Sequence, residues 1–141
     1  MRLDARQARL RFASARVARL ATAGADGLPH LVPVTFALEG DAIVFAVDHK
    51  PKSTTELRRL RNIEANPAVS FLVDHYDEDW TRLWWVRADG KATIVSGSAG
   101  RDAPIRALRE KYVQYTREPP GGPVVRTDVT TWRGWSAAEP A

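Results

Sequence analysis

From Asp4 to Ala15 the apolar residues Ala5, Ala8, Phe12 and Ala15 recur at helical spacing, with arginines between them, which predicts an amphipathic helix. Val17–Thr22 then reads as a strand, and Gly24-Ala-Asp-Gly27 as a hairpin-type turn. From His30 to Leu38 the pattern has period two. Val32, Val34, Phe36 and Leu38 point one way, and Leu31, Pro33 and Thr35 the other. Pro33 cannot donate to a ladder, so that strand belongs at a sheet edge, at a bulge, or beside a ligand. Glu39-Gly-Asp41 turns the chain into a third strand, Ala42–Val47.

Leu57, Leu60 and Ile63 recur at helical spacing among Arg58, Arg59 and Arg61, and Asn66-Pro67 ends that helix. Val69–Val73 is strand-like and Asp74–Asp79 an acidic loop. Leu83–Val86 and Ala92–Val95 are predicted strands, parted by a turn at Ala88-Asp-Gly90. A helix over Pro104–Tyr115 is broken by Glu118-Pro-Pro-Gly-Gly-Pro123, and Val124–Trp135 is a last strand. About six strands and three helices predict an α+β fold, a mostly antiparallel β-barrel carrying helices. No repeat, linker or low-complexity segment divides the chain, so residues 1–141 are expected to form one domain.

Apolar residues make up 44% of the 141 and charged residues 27%, values typical of a globular domain. No apolar run is long enough for a membrane span, and the N-terminus has no signal-peptide pattern. The chain has no cysteine, which removes thiolate catalysis, disulfides and cysteine-ligated metals. These features predict a cytoplasmic protein with no membrane partner. A net charge of +4 directs attention to anionic ligands.

The junction Val47-Asp-His-Lys-Pro-Lys-Ser-Thr-Thr-Glu56 is where that charge changes the picture. Ser53-Thr-Thr-Glu56 matches a capping box, which places Lys50, Pro51, Lys52, Ser53 and Thr54 at a predicted helix N-terminus. Lysine charges, hydroxyls and free helix amides together suit a phosphate. Glu56 would repel one, and an ordinary helix cap with solvated lysines fits the same residues.

The order of these motifs resembles the split-barrel flavin and deazaflavin oxidoreductases, the pyridoxamine 5'-phosphate oxidase-like superfamily. The series is a helix, a strand, the Gly-x-x-Gly-x-Pro hairpin of Gly24–Pro29, Val32-Pro-Val-Thr-Phe36, a short strand, Lys-Pro-Lys-Ser-Thr, a helix and Asn66-Pro-Ala-Val-Ser-Phe71. It is most similar to the small actinobacterial branch thought to use coenzyme F420. The resemblance implies a split β-barrel homodimer with a cofactor site between the subunits. Lys50–Thr54 would hold the cofactor phosphate, and Pro33, Val34 and Thr35 would run along its ring system with His30 on the same strand. Trp80 and Trp84 would lie near the site and flank a ring or a substrate. No clear arginine–lysine phosphate signature of the relatives that use flavin mononucleotide (FMN) is found, which favours F420 and leaves FMN as the alternative.

The other constellations carry less. His30, His49 and His75 are scattered without ligand spacing, and the acidic run at residues 74–79 lacks the glycine of a calcium loop, so no metal is expected. Five tryptophans are many for this length. Trp84-Trp85 must send rings to opposite faces of a strand, and Trp132 and Trp135 could cover the barrel or reach a partner subunit. Such a wealth of strand-borne aromatics exceeds what a small barrel interior uses and is a second argument for a homodimer. Basic helices beside a barrel also suit single-stranded nucleic acid, but no ladder of exposed aromatics with interleaved basic residues is evident, and no nucleic-acid partner is expected. The expected activity is hydride transfer between F420 and a small electron-poor organic molecule. No catalytic residue is assigned, and water or a side chain such as Tyr76 could supply a proton. FMN-dependent chemistry on the same fold and cofactor binding without turnover remain the alternatives.

Overall fold

The computed structural model describes residues 1–47, 57–95 and 97–138. The stretch 48–56, with Lys50, Pro51, Lys52, Ser53 and Thr54, lies outside the described residues. Eight strands form one antiparallel sheet: β1 (Arg2–Leu3), β2 (Ala18–Ala23), β3 (Pro29–Val34), β4 (Ala37–Glu39), β5 (Ala42–Ala46), β6 (Ala68–His75), β7 (Trp84–Val95) and β8 (Val124–Ser136). Their order is β3-β2-β6-β7-β8-β5-β4, with β1 beside β8. The two ends of that path, β3 and β4, are separated in sequence only by Thr35 and Phe36, so the sheet must curl until its edges approach. This is the α+β split barrel that the hydrophobic pattern and the resemblance imply, with Pro33 on an edge strand as expected.

Four α-helices accompany the sheet among the described residues: α1 (Ala5–Ser14), α2 (Arg58–Ala65), α3 (Asp102–Lys111) and α4 (Val113–Arg117). Asp4 caps α1 by accepting the Gln7 amide at 2.8 Å, while the Gln7 side chain accepts the Asp4 amide at 2.9 Å. The helix thereby starts where it can bury Ala8 and Phe12 against the sheet. Phe12 is the hub of the core, with ring centroids 4.7 Å from Phe36, 5.3 Å from Trp132 and 6.3 Å from Phe71. Truncating a ring so enclosed costs about 3–5 kcal/mol.

Three local expectations need correction. The single strand predicted over His30–Leu38 is two strands, because Phe36 pairs its backbone with the Tyr112 hydroxyl instead of continuing the ladder. The turn predicted at Ala88-Asp-Gly90 is the middle of one continuous strand, β7. Its register with β8 shifts between Asp89 and Gly90, where Thr130 is the additional residue. Gly90 is there for close approach: a Cβ would lie 2.3 Å from the Asp128 carbonyl oxygen. The helix predicted over Pro104–Tyr115 divides at Tyr112, whose backbone is extended and whose ring is buried. The second predicted helix is observed as α2, starting at Arg58 after Leu57 with no side-chain cap, and the capping box read at Ser53–Glu56 lies outside the described residues.

Candidate functional site

The first candidate cluster lies where α2 crosses the β2–β3 hairpin. Asn62 of α2 is buried and donates its side-chain amide to Thr22 Oγ1 at 3.0 Å. The hairpin admits this contact because residue 24 is glycine: a Cβ there would meet Asn62 Oδ1 at 2.7 Å. His30 pairs with Thr22 across the hairpin and so faces the same helix. Its Nδ1 is shielded from solvent and has no hydrogen-bond partner, and the same is true of Arg59 Nε. Burial, then the guanidinium groups of Arg58 and Arg59, hold the His30 imidazole below its ordinary pKa. Burial likewise lowers the pKa of Arg59. Two cations and an imidazole thus converge with unused polar atoms, which is an arrangement an anion would satisfy.

A second cluster sits at the β3–β4 junction. Tyr112 OH accepts the Phe36 amide at 3.1 Å and lies 2.8 Å from the Arg16 carbonyl, to which it donates. Thr35 Oγ1 is 2.9 Å from the Tyr115 hydroxyl. The Lys111 ammonium lies 3.7 Å from the Phe36 ring centroid, without a hydrogen-bond partner. Burial, and secondarily Arg16, lower its pKa to about 8.

The third is a surface. On the outer face of β3, β2, β6 and β7, Leu31 is 67% exposed and Leu72 39% exposed. With Ala21, Ser70 and Trp85 they line a depression of about 590 Å³ rimmed by Arg19, Asp74 and Arg87. Asp74 and Trp85 also border a neighbouring aromatic hollow of about 500 Å³ with His75, Tyr76, Trp84 and Trp135. There the His75 ring stacks on Trp84 at 6.3 Å and 20°.

Among the residues expected from sequence, His30 gathers with Arg58 and Arg59, and Trp84 with His75. Val34 is buried, so its side chain serves the core. Pro33 is exposed on the edge strand, and Thr35 is engaged with Tyr115. Trp80 is 68% exposed on a 3-10 helix, where its indole reaches the Tyr76 hydroxyl at 3.4 Å. Trp84 and Trp85 do divide between faces: Trp84 packs against the core, and Trp85 lines the outer depression. The chain does not unite these groups by itself. The Ala21↔Ser70 pairing sets His30 about level with Val69, and His75 lies about six residues further along β6. That separation is about 20 Å at the rise of a strand. Asn62, Tyr112 and Tyr115 were not read from sequence as site residues; their partners are distant in the chain, and nothing local marks them.

A family model described as Pyridoxamine 5'-phosphate oxidase matches residues 5–136. No curated protein matches the sequence. Among solved structures, a conserved hypothetical protein from Mycobacterium tuberculosis is 25% identical, with a TM-score of 0.75 over 96% of this chain and 85% of that one. An FAD-binding protein from Mesorhizobium loti is 22% identical, with a TM-score of 0.70 over 95% of each chain. An FAD-binding protein from Mycobacterium smegmatis is also 22% identical, with a TM-score of 0.68 over 96% of this chain and 98% of that one. These likenesses are of fold.

Proposed function

The chain belongs to the pyridoxamine 5'-phosphate oxidase family, and we propose that it is an oxidoreductase holding a flavin-type cofactor by an anionic group at His30, Arg58 and Arg59. The observation that carries this reading is the pair of shielded, unpartnered atoms, His30 Nδ1 and Arg59 Nε, beside two guanidinium groups. A phosphate would give both a partner and offset the local charge. Solved structures of the same fold described as FAD-binding support a cofactor of the flavin class. Within it we favour the deazaflavin F420, whose phosphodiester and carboxylate-rich tail match a run of exposed arginines, with FMN as the runner-up.

When bound, such a cofactor supplies two-electron hydride chemistry, and the substrate is expected to be a small electron-poor organic molecule. The chain's part is to hold and orient. Arg58 and Arg59 bind the anion, joined in this proposal by Lys50, Lys52, Ser53 and Thr54. His30, kept neutral, donates or accepts one hydrogen bond beside it. As an edge strand, β3 offers outward backbone groups to a ring edge, where Pro33 presents only a carbonyl.

The exposed Leu31, Leu72 and Trp85 face supports a homodimer, in which the His75–Trp84 hollow of one protomer would complete the site of the other. Titration of the purified protein with F420, FMN and FAD, followed by tryptophan fluorescence, tests the proposal. Saturable quenching by at least one is expected. No quenching by any of the three would overturn it.

A further inference from the structure

The molecule has a second gathering of arginines, remote from α2. A cleft of about 720 Å³ opens between α3 and the turn at Pro119–Pro120, lined by Ser98, Arg101, Arg106, Arg109, Thr116 and the apolar Ile105, with Asp102 and Glu110 also at its border. Its α3 wall packs against β4 and β5, whereas α2 packs against β2 and β7, so the two arginine groups belong to different parts of the barrel.

The charges of this cleft are not internally neutralised. Arg106 stands four residues from both Asp102 and Glu110, the spacing of helical ion pairs. Even so, among the described residues none of Arg101, Arg106 and Arg109 has a carboxylate within ion-pairing distance. Arg101 is half-buried and donates to neutral acceptors, the carbonyls of Gly122 at 2.7 Å and Pro120 at 3.2 Å. Those bonds fix a full positive charge at the wall of a concave surface, where low-dielectric surroundings strengthen its field. Arg106 and Arg109 add exposed guanidinium forks, Ser98 and Thr116 add hydroxyls, and Ile105 with Pro119 and Pro120 forms an apolar lining.

We propose that this cleft binds a small organic anion, a phosphate or carboxylate head carried on an apolar body. Planar guanidinium groups pair with either head by two parallel hydrogen bonds. The lining of Ile105 and prolines accommodates the body. The two acidic side chains leave the cleft with a modest positive excess, which suits one anionic head better than an extended polyanion.

Arg101 also secures the turn that bonds Val47, the residue after β5, since the Gly122 amide donates to the Val47 carbonyl at 3.0 Å. The test therefore spares Arg101 and uses the exposed Arg106 and Arg109. Amide NMR spectra of the full chain are recorded with phenyl phosphate, with benzoate and with neutral benzyl alcohol. Saturable shifts of amides in residues 98–120 are expected with phenyl phosphate or benzoate and not with benzyl alcohol, and the better anion identifies the head group. The double variant Arg106→Ala/Arg109→Ala should fold as the wild type does and bind about tenfold more weakly. Shifts confined to His30 and residues 58–63, equal affinity in the variant, or equal binding of benzyl alcohol would each overturn the proposal.

Discussion

The Tyr112 hydroxyl stands in for a strand at Phe36: it lies 3.1 Å from both the amide and the carbonyl of that residue. Burial raises the pKa of this phenol, which stays protonated through the neutral range. Tyr112→Phe removes the one acceptor that the Phe36 amide has among the described residues. It should destabilise the fold by about 1–3 kcal/mol, read as a lower urea midpoint with an unchanged slope. An unchanged midpoint would mean that water serves the Phe36 amide equally well.

Lys111 makes the same region pH-dependent. Its folded pKa of about 8 lies below the unfolded value of 10.5. Between those values the unfolded chain holds a proton that the folded chain has released. Wild-type stability attributable to this group should therefore rise with pH across that window. Lys111→Met should be more stable than wild type at neutral pH, and its advantage should shrink as the pH rises through that window. Paired urea melts along a pH series measure this. A constant difference would show that the ammonium carries no burial penalty.

How far the sequence disclosed the fold depends on what each signal measures. The sequence pattern placed β2 and β8 closely, as Val17–Thr22 and Val124–Trp135, because each has one face on the core. It misread residues 88–90 because glycine marks both turns and close approaches, and only the neighbouring strand, Asp128 in particular, decides between them. It merged β3 and β4 because the break at Phe36 is imposed by Tyr112, a residue 76 positions away. At the site, His30 was legible as a strand residue beside a motif. Its association with Arg59 depends on how α2 crosses the hairpin, which the buried Asn62–Thr22 bond and Gly24 set.

The exposed face gives a third expectation. Leu72 is on the outer surface of β6, so Leu72→Asp should leave the monomer fold intact while placing a charge within the proposed dimer contact. Obligate interfaces commonly bury more than about 2,000 Å². Wild type should sediment as a dimer at micromolar concentration and the variant as a monomer. A monomeric wild type would remove the two-subunit site.

Ionic strength separates the two cofactor candidates. Arg58 and Arg61 are exposed, and contacts to them should contribute only about 0.2–1 kcal/mol each and fade as salt rises. F420, with the longer anionic tail, should bind more tightly than FMN at low salt, and the gap should narrow as salt is added. Tighter FMN binding at every salt concentration would exchange the order of the two.

The central claim is that His30, Arg58 and Arg59 seat the anionic group of a flavin-type cofactor, and the most direct measurement is cofactor affinity in wild type against Arg58→Ala/Arg59→Met. Methionine keeps an apolar stem where Arg59 is half-buried, so a thermal melt should show the fold retained. Loss of charge-assisted hydrogen bonds, about 1.5–3 kcal/mol, predicts affinity about 10- to 100-fold weaker in the variant. Equal affinity in the two proteins would place the anion elsewhere and contradict the account.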